Sequence, residues 1–174
     1  MGLTKPNLAM SFLRFSKKGA SQSLLHQLKY KNKPEIGIEL GRLYGNILRQ
    51  SGFSQNWDHI VPVPLHPLKK KKRGYNQSEQ FAKGLSEALN IPVALSLIRV
   101  QFTETQTRKS RMERIENVAE VFDVDSLDEI KGKRLLLVDD VMTTGATLIT
   151  CANVLLEKGS KAVDLAVIAA GKNQ

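Results

Sequence analysis

The thirteen residues Leu135 to Thr147, LLLVDDVMTTGAT, constrain the fold more than any other part of the chain. An apolar run from Arg134 to Val138 is the pattern of a central parallel strand buried on both faces, and it delivers two adjacent carboxylates, Asp139 and Asp140, to its C-terminal end. Open α/β sheets bind their ligands there. Thr143, Thr144 and Gly145 then form a tight turn, and helical spacing begins at Ala146 and continues through Leu148, Cys151, Ala152 and Leu155 to Lys158. The unpaired N–H groups of that helix start, with hydroxyls beside them, make a cradle for an anion. Gly145 permits the backbone approach that a side chain would block.

The remaining segments repeat this alternation. Pro34 to Gln50 reads as a helix with Ile36, Leu40, Leu43, Tyr44, Ile47 and Leu48 on one face and Pro34 in the first turn. His59 to Val63 reads as a short buried strand, Gln77 to Leu89 as a helix with Phe81, Leu85 and Leu89 inward, Val93 to Val100 as a second strand and Ala162 to Ala170 as a further buried strand. Met10 to Phe15 is expected at a sheet edge, with a short helix over Ser21 to Lys29. Thr103 to Arg114 is polar and basic without an apolar face, the mark of a surface loop. The fold class is therefore α/β, in one compact domain of 174 residues.

Charge is distributed in blocks. The formal net charge is +9, and seven Lys or Arg with no acid lie between Met1 and Pro34. Five consecutive cations, Lys69 to Arg73, directly follow a strand and lead into Gly74-Tyr75-Asn76-Gln77, which reads as a shaped basic loop suited to phosphate. One cysteine, Cys151, with His26, His59 and His66 cannot build a four-cysteine or two-cysteine two-histidine zinc site. No run nears the roughly 18 apolar residues of a spanning helix, and no secretory leader is legible, so a membrane role is not expected and the cytoplasm is. Cys151, on an apolar helix face, reads as core, and Trp57 and Tyr30 are expected to pack inside rather than to stack on a base.

Two carboxylates beside a phosphate cradle suit a molecule with a sugar diol and a phosphate one bond further on. Neither a Walker A loop nor Gly-x-Gly-x-x-Gly is present, since no two of the twelve glycines are spaced Gly-x-Gly. A receiver domain would place its acidic pair near its start, with far more chain after it. The whole segment resembles the 5-phosphoribosyl-1-pyrophosphate (PRPP) motif of type I phosphoribosyltransferases. Val61-Pro62-Val63-Pro64-Leu65-His66-Pro67 with Arg73-Gly74-Tyr75-Asn76-Gln77, Gln106-Thr107 through Arg111, Arg114 and Asn117-Val118 to Phe122, and Leu28-Lys29-Tyr30-Lys31 are similar to segments of the ComF family of competence-associated members.

That resemblance implies a mostly parallel twisted sheet flanked by helices, with an N-terminal hood over residues 1–57 and a core over 58–174. It implies transfer of 5-phosphoribosyl from PRPP to an unidentified acceptor with release of pyrophosphate. Asp139 and Asp140 would hold the ribose, Thr143, Thr144, Gly145, Ala146 and Thr147 the 5′-phosphate, and Leu65, His66, Lys72 and Arg73 the pyrophosphate. Magnesium would arrive on the substrate rather than on protein ligands. Arg111 and Arg114 would act from a mobile catalytic loop, though an i, i+3 pair can also bind Glu113 or Glu116. His66 reads either as loop structure or as a phosphate contact. Single-stranded DNA and a second copy of the chain are the further partners implied. Many family members carry an N-terminal four-cysteine zinc module that is absent from this sequence, either lost or lying before its start.

Overall fold

Leu135, Leu136, Leu137 and Val138 are all fully buried because their strand is covered on both faces. Adjacent residues of a strand point to opposite sides. Leu136 and Val138 accordingly join one apolar cluster, with Leu28, Leu40, Tyr44, Phe81 and Leu85, while Leu135 and Leu137 join a second, with Leu148, Cys151, Leu155 and Ile130. The computed structural model describes residues 7–14, 16, 18–100 and 122–171.

In chain order the elements are β1 (Ala9–Arg14), α1 (Ala20–Tyr30), α2 (Pro34–Gln50), β2 (His59–Pro62), α3 (Pro67–Arg73), α4 (Gln77–Leu89), β3 (Leu97–Arg99), β4 (Phe122–Val124), β5 (Arg134–Met142), α5 (Ala146–Glu157) and β6 (Ala162–Ala170). Four strands form one parallel sheet in the order β1-β6-β5-β2. Helices α1, α2 and α4 contribute to the cluster on one face and α5 to the cluster on the other. Strands β3 and β4 pair antiparallel as a separate ribbon, with Phe122 and Leu97 turned into the α5 side. Because β1 pairs with β6 and α2 packs on α4, residues before Trp57 share the sheet and the core of those after it. No helix among the described residues is long and apolar enough to cross a membrane.

Three local expectations are corrected. The inward face of α2 is not its line of largest side chains: Leu43 and Ile47 are 54% and 48% exposed, while Gly37, Gly41 and Gly45 are buried with Leu40, Tyr44 and Leu48. A Cβ on Gly41 would lie 2.8 Å from the Leu85 amide nitrogen and 2.9 Å from Gly84 Cα, so α2 and α4 cross backbone to backbone. Lys69 to Arg73 is not a loop but most of α3. His66 caps its start, its Nδ1 accepting from Leu68 N at 3.2 Å, and Gly74 ends it at φ 87°. Val93 to Val100 is not one strand: Val93 makes an isolated parallel bridge to Ile60, and only Leu97–Arg99 pairs, with β4. Pro92 has no N–H for a ladder and serves as an acceptor, from Ile60 N at 2.9 Å.

Candidate functional site

The acidic pair lies two residues inside β5, which continues to Met142 beside β6. On its other side β2 stops at Pro62, opposite Val138, so among the described residues β5 has no strand partner there from Asp139 onward. That is the crevice at the carboxyl ends of the strands. Asp139 lines a 60 Å³ cavity with residues 141–148, and Asp140 a 410 Å³ cavity under α1 with Gln22, Leu25, His26, Lys29, Tyr30, Val141 and Thr143. Alternation along the strand accounts for the division.

Asp139 Oδ1 accepts from Ser78 Oγ at 2.7 Å and from the Asp140 amide at 2.8 Å. Burial first, then the neighbouring Asp140 charge, push the Asp139 carboxyl up to about 7, against the hydrogen bonds from Ser78 and the Asp140 amide. Asp140 is 5% exposed, and Lys29 Nζ of α1 lies 2.7 Å from its Oδ2. The two groups meet as charges, off a hydrogen-bond axis.

Beyond the strand, Gly145 takes φ 78° at the start of α5. Its Cβ would meet nothing closer than Met142 Sδ at 3.6 Å, so glycine is required by the left-handed backbone and not by space. Thr144 Oγ1 accepts from Ala146 N at 3.3 Å, and Thr143, Thr144, Ala146 and Thr147 are exposed around the helix start. The five residues read from the sequence as a phosphate cradle therefore stand together on the small cavity with Asp139.

The basic run lines a separate 590 Å³ cavity: Lys69, Lys71, Lys72, Arg73 and Gly74 face Lys29, Tyr30 and Asn32 at the end of α1. Lys29 and Tyr30 line this cavity and the one above Asp140, so the two share a wall. Tyr30 corrects the expectation of core packing: it is 68% exposed, with the Arg73 guanidinium 5.8 Å from its ring centroid. Trp57 does pack inside, 4% exposed, its Nε1 donating to Asp164 Oδ2 at 2.8 Å. Leu65 and His66 are half-buried between β2 and α3. Two residues of the Arg73 to Gln77 motif act as anchors, since Tyr75 O–H donates to the Leu28 carbonyl and Asn76 Nδ2 to the Val63 carbonyl at 2.9 Å. Arg73 itself donates to Gln77 Oε1. Arg111 and Arg114 lie outside the described residues.

Lys29 and Ser78 are the site residues that sequence reasoning missed. Ser78 had a signal in Asn76, a helix N-cap residue that accepts from Ser78 N at 3.0 Å and fixes where α4 begins. Lys29 had its place in a basic block and in the family-like segment Leu28 to Lys31, neither of which points to Asp140.

Residues 26–174 match the phosphoribosyl transferase domain. The chain is 32% identical over 147 residues to Competence protein F of Haemophilus influenzae, covering 82% of this chain and 64% of that one. It is 34% identical to DNA utilization protein YhgH of Escherichia coli, covering 82% and 63%, and 38% identical over 103 residues to Competence protein ComFC of Bacillus subtilis, covering 59% and 40%. The chain thus spans less than two thirds of the length of these relatives. Among solved structures, glutamine PRPP amidotransferase from B. subtilis superposes with a TM-score of 0.55 at 25% identity, over 76% of this chain and 26% of that one. Adenine phosphoribosyltransferase from Leishmania donovani superposes at 0.51 and 16% identity, over 95% and 84%, a likeness of fold.

Proposed function

Because the chain belongs to the phosphoribosyl transferase domain family, we propose that it binds PRPP and transfers the 5-phosphoribosyl group to an acceptor, releasing pyrophosphate. The observation that carries this reading is the continuity of Asp139 with the cradle of residues 143–147 on one small cavity. A phosphate at the start of α5 meets free N–H groups and threonine hydroxyls. The ribose then lies over β5, where Asp139 and Asp140 accept from its hydroxyls, and the diphosphate extends toward Leu65, His66, Lys72 and Arg73.

In the displacement, positive charge grows on the ribose ring and negative charge on the leaving pyrophosphate. Carboxylates fixed below the ring and cations fixed at the diphosphate stabilise both without reorganising. Among the described residues no group of three or more His, Cys, Asp or Glu stands together. A magnesium ion would arrive with the substrate near Asp139 and Asp140 and would supply charge neutralisation there. We place this work in the cytoplasm, a reducing compartment that suits a chain with one buried thiol.

Calorimetric titration of PRPP with magnesium tests the site, and pyrophosphate release in the presence of a metabolite pool tests turnover. Asp139→Asn with Asp140→Asn should weaken PRPP binding by at least about tenfold, or 1.4 kcal/mol. Wild-type affinity in that double variant removes the assignment, and binding without pyrophosphate release makes the protein a PRPP sensor. A second reading, contact with single-stranded nucleic acid in competence or DNA utilisation, is favoured by the 590 Å³ basic cavity with exposed Tyr30 at its wall.

A further inference from the structure

Lys29 stands at the junction of the two larger cavities, and its surroundings differ on each side. Toward β5 its Nζ meets Asp140 Oδ2 at 2.7 Å. Toward α3 it shares a cavity with Lys69, Lys71, Lys72 and Arg73. Its backbone is held in place by its neighbour: Leu28 is fully buried and its carbonyl accepts from Tyr75 O–H. The lysine side chain itself is 27% exposed. An ammonium on a four-carbon stem can exchange partners by bond rotation, without moving the helix that carries it.

Both partners have reason to claim it. A carboxylate as enclosed as Asp140 needs a countercharge until a ligand supplies donors. A diphosphate among the α3 cations would draw Lys29 the other way. We propose that Lys29 is a positioning switch for the diphosphate end of PRPP, paired with Asp140 before binding and transferred to the pyrophosphate on binding, which frees Asp140 for the ribose hydroxyls. The inference rests on the PRPP reading above and gives a role to Lys29, a residue of the family-like segment Leu28 to Lys31 on α1.

The test is a cycle of variants titrated with inorganic pyrophosphate in a chelating buffer, so that no metal bridges ligand and acid. Asp140→Asn releases Lys29 and should bind pyrophosphate at least about fivefold more tightly than wild type, a coupling of ordinary size between linked sites. Lys29→Met should bind it more weakly than wild type, and Lys29→Met with Asp140→Asn should lose the gain. Unchanged affinity in Asp140→Asn overturns the switch. So does a gain that persists in the double variant, because relief of repulsion by Asp140 would then explain it.

A second readout needs no change at Asp140. Lysines are reductively ¹³C-methylated, the Lys29 resonance is assigned from its loss in Lys29→Arg, and pyrophosphate is added to the wild-type chain. The Lys29 resonance should shift, and a stationary resonance overturns the proposal. Wild-type titration with PRPP and magnesium separates the two levels of failure. If PRPP binds and the cycle is flat, the switch alone falls; if neither PRPP nor pyrophosphate binds, the site reading falls with it.

Discussion

Folding changes the acid chemistry of Asp139 by burying its carboxyl beside a second one. Its carboxyl moves from 3.8 to about 7. Between about pH 4 and pH 7 the folded chain keeps a proton there that the unfolded chain releases, so the stability from this group is complete below 3.8, falls as the pH rises to about 7, and is level above. Asp139→Asn removes that fall: from pH 5 to pH 8 the wild type should lose more melting temperature than the variant, and equal losses by calorimetry would refute the assignment. PRPP affinity should move oppositely, rising toward pH 8, because the ionised carboxylate is the stronger acceptor for a ribose hydroxyl. Asp139, Asp140 and residues 143–147 were legible because they are consecutive on a strand and turn. Ser78, 61 residues from its partner, was not, and neither was Lys29: periodicity describes an element's own faces, and these contacts join different elements.

At the scale of elements, α4 and β6 were read with the bounds they have, since each carries an uninterrupted apolar period ended by a breaker or by polar residues. α3 was missed because five cations show no period; its ends are set by the His66 cap and Gly74 instead. The α2 face was misread because glycines were given no weight. Gly84 of α4 faces α2, and a Cβ there would overlap the Ile38 carbonyl oxygen and lie 2.8 Å from Arg42 N. Gly84→Ala should push the two helices apart and destabilise the fold by about 1–3 kcal/mol in urea unfolding. A change below a few tenths would show that the backbones do not meet there. The same displacement would tilt the start of α4, where Ser78 holds Asp139, so PRPP affinity should fall together with stability.

For the whole molecule, part of the net charge of +9 lies around one cavity. Among the described residues Lys69, Lys71 and Lys72 have no ion-pair partner, whereas Lys70 binds Glu79 at 2.9 Å and Lys29 binds Asp140. Unpaired cations around one cavity release counterions when phosphates replace them. If single strands use this face, affinity for a dT oligonucleotide should decline steeply with salt in fluorescence anisotropy, and Tyr30→Ala should weaken it by about 1–3 kcal/mol through lost stacking. Salt-independent affinity, or a Tyr30→Ala variant that binds like wild type, would remove the nucleic-acid reading and leave the cavity to diphosphate alone.

The sheet order has a consequence for how such a chain is made. β6, the last of the described strands, sits inside the sheet between β1 and β5, with Ala9 opposite Leu165. During vectorial synthesis β1 emerges before the other described strands, and β6, its partner among them, emerges last. Closing that gap joins residues far apart in sequence, a slow step in folding. The site shares the delay, because Lys29 leaves the ribosome long before Asp140 exists for it to meet.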